Sequence, residues 1–270
     1  MSAGHQHDRG VVYVATQVDN YVEDAFLSAD SIKERYPDLS ITLFTDRLSH
    51  PLCATDRFDH VECAAEVPDF HLGTVVDHAP RWSEGQLSRL LSLRRTPYRQ
   101  TLHLDTDTKL VTDELMSLFD LLDDIDVGMT ECSMDDSYSR LEYGRPMFNA
   151  GLILYRRNDL TWDWLQEWAE LSERNFRWAS ANPLPRLASL RHLSDEEIRR
   201  KLMCMDQISL VEILSPETNK FNLKLKILDG SWLYRGSQLQ EQKATPRILH
   251  IRRSDLELEN AIHRALARMS

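Results

Sequence analysis

Arg99-Gln-Thr-Leu-His-Leu-Asp-Thr-Asp-Thr-Lys-Leu-Val-Thr112 is the stretch on which the fold turns. Thr101 to Leu104 is short enough for a buried strand. Asp105 and Asp107 follow at its carboxyl end, with Thr106 between them. Two acids held there are costly unless something positive sits between them. One reading is a strand end followed by a turn, where Asp and Thr are common. The other is a pair of ligands for a divalent cation, which favours hard oxygen donors.

Upstream of this stretch, Trp82 to Arg95 predicts a helix that buries Leu87, Leu90 and Leu91 and ends before Pro97. Arg89 lies off that face, free to meet solvent or a ligand. Earlier still, Val11 to Ala15 and Ile41 to Phe44 are apolar runs of strand length. Between them Val22, Ala25, Ala29, Ile32 and Tyr36 recur at a helical period, and Pro37 stops the helix. Strand, helix, strand in that order predicts a parallel pair with a right-handed crossover. Arg47 to Pro80 predicts a loop-rich passage with one short strand near His60 to Cys63. Its scattered histidines (His50, His60, His71, His78) fit a surface role.

Downstream, Thr112 is expected to cap a helix carrying Leu115, Leu118 and Leu122. Asp126 to Thr130 predicts a further strand, and Met134 to Gly144 a surface loop. Phe148 to Tyr155 is a β-type run interrupted by Gly151, which points to close approach of a backbone or a ligand. A long helix from Leu160 places Trp164 and Trp168 on one face, as core. Pro183 and Pro185 break the chain, and Ser194 to Glu197 predicts a capped helix start. Asp206-Gln207 opens the apolar turn Ile208 to Leu214. Leu223 to Leu228 and Arg247 to Ile251 are the last strands, and Leu258, Ile262, Leu266 and Met269 mark an amphipathic helix. The expected organisation is a frayed polar tail at 1–10, one domain at 11–253 and a helix at 254–270 packed on it.

Hydrophobic residues make up 42% of the 270-residue chain and charged ones 28%, which fits one large soluble α/β domain. No apolar run approaches the ~18 residues of a membrane span, and the polar start lacks a signal-peptide core. A net charge of -11 is not the footprint of a general nucleic-acid binder. Cys53, Cys63, Cys132 and Cys204 have no Cys-x-x-Cys spacing. Free thiols in a reducing cytoplasm are therefore the expectation.

Alternating strands and helices argue for an open α/β sheet, in which ligands bind beyond the carboxyl ends of the strands. That rule brings together the loop after the first strand, the acidic pair and Asn149-Ala150-Gly151. No Gly-x-Gly-x-x-Gly follows Val11 to Ala15, and no Gly-x-x-x-x-Gly-Lys-Ser/Thr occurs, which argues against a dinucleotide dehydrogenase and a P-loop enzyme.

Five stretches give the pattern a family likeness: Tyr-Val-Ala-Thr-x-x-Asp-Asn-Tyr at 13–21, Leu-Asp-Thr-Asp-Thr at 104–108, Phe-Asn-Ala-Gly at 148–151, Asp-Gln at 206–207 and Leu-His-Ile at 249–251. In this order they resemble the GT-A glycosyltransferases, close to the glycogenin and bacterial galactosyltransferase group (glycosyltransferase family eight). The resemblance runs from about Val11 to Ile251. It implies a Rossmann-like mixed sheet flanked by helices, and a nucleotide-diphosphate sugar, usually UDP-linked, as donor.

By the same resemblance Asp105 and Asp107 match the metal-binding acids, the Asp-x-Asp motif, and His250 the third protein ligand. Two carboxylates, an imidazole and diphosphate oxygens suit Mn²⁺ or Mg²⁺, and the imidazole tilts the choice toward Mn²⁺. Ala15, Thr16, Asn20 and Tyr21 match the nucleoside-binding loop, with Tyr21 either stacked on the base or packed on the first helix. Arg89 falls where the family often has a lysine that contacts the donor, and Thr106 is expected near the ribose. Asn149, Ala150 and Gly151 match the segment lining the donor sugar. Asp206 and Gln207 match a pair near the anomeric carbon, although Asp206 also reads as a helix N-cap.

One departure concerns the phosphate clamp. Glycogenin-like enzymes carry a Gly-x-x-Lys after the metal histidine, whereas Ile251, Arg252, Arg253 and Ser254 follow here, leaving Arg252 or Arg253 for that role. The resemblance implies transfer with retention of configuration. It leaves the acceptor open among a saccharide, a protein hydroxyl, a small metabolite and a modified nucleic-acid base. The alternatives are a non-catalytic nucleotide-sugar binding module and a sugar nucleotidyltransferase, the latter lacking its Gly-rich signature.

Overall fold

The computed structural model describes residues 8–67, 79–132, 146–181, 205–215, 220–235 and 245–251. The expected loop at 134–144, the break at Pro183 and Pro185, the helix start at Ser194, Cys204, Arg252 and the C-terminal helix lie outside these residues. Among the described residues no helix is long and apolar enough to cross a membrane.

Strand β1 (Arg9–Ala15) begins at Arg9 rather than Val11, because Arg9 and Gly10 pair with Gln100 and Thr101 of β4 (Gln100–Leu104). The expected polar tail therefore gives up its last two residues to the sheet. Helix α1 (Asp19–Lys33) buries Val22, Ala25, Ala29 and Ile32, as its period requires. Strand β2 (Ser40–Thr45) is buried throughout, and β3 (His60–Cys63) closes that edge. Helix α2 (Ala79–Leu93) leads into β4.

The main sheet has seven strands in the order β3-β2-β1-β4-β7-β6-β8, with β6 at Val127–Glu131, β7 at Phe148–Arg156 and β8 at Leu225–Leu228. Strands β3, β2, β1 and β4 run parallel, β7 runs against both β4 and β6, and β8 is parallel to β6. The central strands are apolar on both sides because both faces are covered. Helices α1 and α3 (Leu115–Leu121) cover one face, over a core that includes Tyr13, Ile41, Leu102 and Phe119. Helices α2, α4 (Asp159–Ala181) and α5 (Met205–Leu214) cover the other. There Trp164 and Trp168 are fully buried with ring centroids 5.3 Å apart, as their core assignment expected.

A second, three-stranded sheet has the order β5-β10-β9, from Thr108–Leu110, Ile248–His250 and Tyr234–Arg235. It corrects one expectation. Thr112 does not cap a helix: the acidic stretch runs into β5, and α3 starts only at Leu115, after Glu114. The backbone of β5 finds its partner in β10, antiparallel, with Leu110 opposite Ile248 and Thr108 opposite His250. Three residues are too few to display a strand period.

Two buried serines on α1 pin β5 to the main body. The Leu110 N–H donates to Ser31 Oγ at 3.0 Å. The Ser28 and Thr108 hydroxyls lie 2.8 Å apart, and Tyr13 OH is 2.7 Å from Ser28 Oγ. Thr108 Oγ1 in turn donates to the Asp105 carbonyl at 2.8 Å, so this network ends at the acidic turn.

Candidate functional site

The acidic turn occupies the carboxyl end of β4, at the junction of the two sheets. Asp105 N–H donates to the Gly151 carbonyl at 2.8 Å, continuing the antiparallel register of Leu104 with Leu152. On the other side Ile251 N–H donates to the Asp107 carbonyl at 2.8 Å. The β5–β10 pairing thus delivers His250 to the acids. Its Nε2 lies 3.0 Å from Asp107 Oδ1 and 3.7 Å from Asp105 Oδ2. One ligand atom from each of Asp105, Asp107 and His250 lies within 4.8 Å of the others.

This donor set fits a hard divalent ion. Adjacent ligands of an octahedral Mg²⁺, at ~2.1 Å from the metal, sit ~3 Å apart. The His250–Asp107 separation of 3.0 Å already meets that, and the 3.7 Å to Asp105 needs only a small side-chain adjustment. The side chains of Asp105 and Asp107 are 28% and 29% exposed, so the cluster opens to the crevice.

Gly151 is explained by contact. A Cβ built there would stand 2.5 Å from Asp105 Oδ2. The close approach expected at this glycine is thus that of a metal-facing carboxylate. Gly151→Ala is expected to push the Asp105 carboxylate aside and weaken metal affinity about tenfold or more, from the lower end of the range for a disturbed ligand-positioning contact upward. Titration with Mn²⁺, followed by electron paramagnetic resonance, measures it, and unchanged affinity would show that Asp105 tolerates the shift.

Asn149 and Ala150 are buried in β7 beside Gly151. The register of β7 with β6 shifts between Met129 and Thr130, where Thr130 pairs with Asn149. Asn149 Oδ1 accepts from Gly151 N–H at 2.9 Å, so this side chain braces the glycine.

Arg89 does not face solvent, one of its two expected settings. Its side chain is 14% exposed, and its Nη1 donates to Asp105 Oδ1 at 3.1 Å while its Nη2 donates to Asp206 Oδ2. Asp206 sits in the first turn of α5 and is fully buried. Its carbonyl accepts from Trp168 Nε1 at 2.6 Å, which ties α5 to α4. Burial raises the Asp206 pKa, and the Arg89 charge opposes the rise. Burial also works against the Arg89 charge, but the Asp206 and Asp105 carboxylates outweigh it and raise the guanidinium pKa. Three buried polar atoms here have no hydrogen-bond partner among the described residues: Arg89 Nε, Asp206 Oδ1 and Gln207 Oε1.

His103 is a site neighbour that the strand reading of Thr101 to Leu104 passed over. It is 1% exposed, its Nδ1 lies 3.0 Å from the Val12 carbonyl and its Nε2 lies 3.9 Å from Asp105 Oδ1. Burial, then the Arg89 charge, pushes its pKa down to about 4, so it is neutral near pH 7. The available signal was the strand period, which puts residues 103 and 105 on one face.

Ala15 and Thr16 are buried at the end of β1, and Asn20 and Tyr21 are exposed in the first turn of α1. Between them Gln17 adopts φ 78°, in the left-handed region. Its N–H donates to both Asp46 carboxylate oxygens at 3.0 Å, and Arg47 donates to its carbonyl. The end of β2 therefore clamps this loop. Partial burial raises the Tyr21 pKa, and Asp107, Asp24 and Asp105 raise it further, which places the phenol within the field of the acidic turn. Thr106 is buried between the two acids.

Solved structures share this architecture. The galactosyltransferase LgtC, crystallised in complex with donor and acceptor sugar analogues, aligns at a TM-score of 0.52 and 12% identity, over 89% of this chain and 86% of that one. The bifunctional glycosyltransferase WbbM aligns at a TM-score of 0.50 and 14% identity, over 93% of this chain and 46% of that one. No protein-family model and no curated protein matches the sequence. The fold is the α/β fold of the GT-A glycosyltransferases.

Proposed function

We propose that the chain is a metal-dependent glycosyltransferase that takes a sugar from a nucleotide-diphosphate donor, UDP-linked by family resemblance. The observation that carries this reading is the gathering of Asp105, Asp107 and His250 within 4.8 Å at the carboxyl end of the sheet. Open α/β sheets bind ligands there. The complex of LgtC with donor and acceptor sugar analogues is consistent with two substrates meeting on this fold.

Each residue then has a task. Asp105, Asp107 and His250 hold Mn²⁺ or Mg²⁺, which when bound neutralises and polarises the departing diphosphate. The clamped loop from Ala15 to Tyr21 receives the nucleoside, with Tyr21 against the base and Thr106 near the ribose. Arg89 Nε, Asp206 Oδ1 and Gln207 Oε1 offer one donor and two acceptors to the sugar hydroxyls. Asn149, Ala150 and Gly151 line the sugar from β7. As the bond from the anomeric carbon to the phosphate oxygen breaks, the Asp206 carboxylate and the Gln207 and Asn149 amide oxygens face the positive charge that develops. Arg252 is proposed for the diphosphate clamp. Retention follows the family resemblance. Free Cys53, Cys63 and Cys132 fit a reducing compartment such as the cytoplasm.

The test is a screen of nucleotide sugars for Mn²⁺-dependent hydrolysis. Turnover of at least one, abolished by a chelator, supports the reading; no turnover across UDP-, GDP-, ADP- and dTDP-linked sugars overturns it. His250→Ala is expected to weaken UDP binding about tenfold to a hundredfold when Mn²⁺ is present and to leave metal-free binding nearly unchanged. Calorimetry with and without Mn²⁺ separates the two. An equal loss in both conditions would show that His250 serves the nucleotide or the strand, not the metal.

A further inference from the structure

Helix α2 contributes more than Arg89 to the crevice. It runs from the carboxyl ends of the strands toward their starts. Arg89 reaches the end of β4, while past its carboxyl end the Tyr98 ring lies against Gly10 in β1. One turn earlier than Arg89, Gly85 abuts the nucleoside loop, its Cβ position lying 3.6 Å from Gln17 Nε2 and 3.7 Å from Thr16 Oγ1. About two turns ahead of Arg89 stands Trp82. Helix geometry sets it within ~20° of the same stripe and ~10 Å further out along the axis. Trp82 is 47% exposed, one of seven large apolar side chains that are exposed among the described residues. Helix phase thus puts Trp82 on the Arg89 stripe, about one turn beyond the level at which Gly85 meets the nucleoside loop.

That position selects its ligand. Gly85 and the loop from Ala15 to Tyr21 lie to the side of the stripe, and Tyr21 is there for the base. Arg89, on the stripe, joins Asp105 to Asp206, at the sugar end of the donor. A molecule that enters above Arg89 meets the anomeric carbon from outside. An indole offers such a molecule a broad apolar plane with a polar edge, which suits the ring face of a pyranose presenting C–H groups.

We propose that Trp82 is the stacking platform of the acceptor subsite, and that the acceptor presents a pyranose ring there. This rests on the glycosyltransferase reading. It narrows the acceptor to the saccharide class.

The experiment is saturation-transfer NMR on the full chain with UDP and Mn²⁺, using methyl glucosides, galactosides and mannosides as probes. At least one pyranoside is expected to receive saturation on its ring C–H protons. Trp82→Ala should lower its affinity about tenfold, the size of one lost aromatic contact, and Trp82→Phe should restore part of it. The proposal is overturned if no pyranoside gives a signal while UDP binds, or if the signal survives Trp82→Ala. It is also overturned if Trp82→Ala weakens UDP as much as the sugar, since the indole would then serve the base. Calorimetry of UDP with Mn²⁺ keeps the two levels apart. Absence of metal-dependent UDP binding in the wild type removes the UDP-dependent reading on which this subsite rests, whereas intact binding with any of the other outcomes removes the acceptor platform alone.

Discussion

Asp107→Ala is expected to reduce UDP affinity in the presence of Mn²⁺ by about a hundredfold or more and to leave metal-free affinity nearly unchanged. Outer-shell partners of a metal site already matter by roughly 10–100-fold, so a directly ligating carboxylate should reach at least the top of that range. Two features make the substitution clean. The Asp107 side chain is 29% exposed, so its loss leaves no sealed cavity. Its structural bond is made by the backbone, since Ile251 N–H donates to the Asp107 carbonyl, which alanine keeps. His250 loses the carboxylate oxygen 3.0 Å from its Nε2, and with it the tightest pair of the cluster. Calorimetry with and without Mn²⁺ checks this, with Asp105→Asn beside it. Undiminished metal-dependent binding in both variants would sink the metal reading of the site.

The pairing that brings His250 to Asp107 was not legible in the sequence. Its basis is the match of β5 with β10, and β5 has only the residues Thr108–Leu110. So short a strand has no measurable period, and the Thr, Asp and Glu that follow at 112–114 look like a helix start. Only resemblance nominated His250. The larger strands were readable because both their faces are buried, which leaves continuous apolar runs such as Val11 to Val14. Gly151 lies between these cases. A glycine in a β-type run announces a close neighbour, but the neighbour, Asp105, depends on the register of β7 against β4.

Arg89 shows the same limit. Helical phase alone put it off the buried face of α2. Its partner Asp206 belongs to α5, a helix far along the chain, and local pattern carries no information about such a meeting. The meeting has an energetic reason. Asp105, Asp107 and Asp206 gather acidic charge at one place, and Arg89 joins two of them. That arrangement keeps a fully buried carboxylate in a chain that is already net negative.

Arg89→Met therefore carries the second large expectation. Removing one partner of a buried pair leaves the other charge uncompensated, a loss of about 3–5 kcal/mol. The loss should depend on pH in a definite direction. Burial already raises the Asp206 pKa above its ordinary 3.8, and Arg89 is the main opposing influence. Without it the folded-state pKa rises further. Between the unfolded and folded values the native state then holds a proton that the unfolded chain has released, so stability falls as pH increases. The variant should be least impaired near pH 4 and lose stability steadily toward pH 7. Urea unfolding at several pH values, with a chelator present to remove metal, measures the slope. Asp206→Asn in the Arg89→Met background removes the titrating group, so the extra slope should vanish and part of the stability return. A loss equal at every pH, or a double variant no better than the single one, would mean that Arg89 contributes through packing and not through the charge of Asp206.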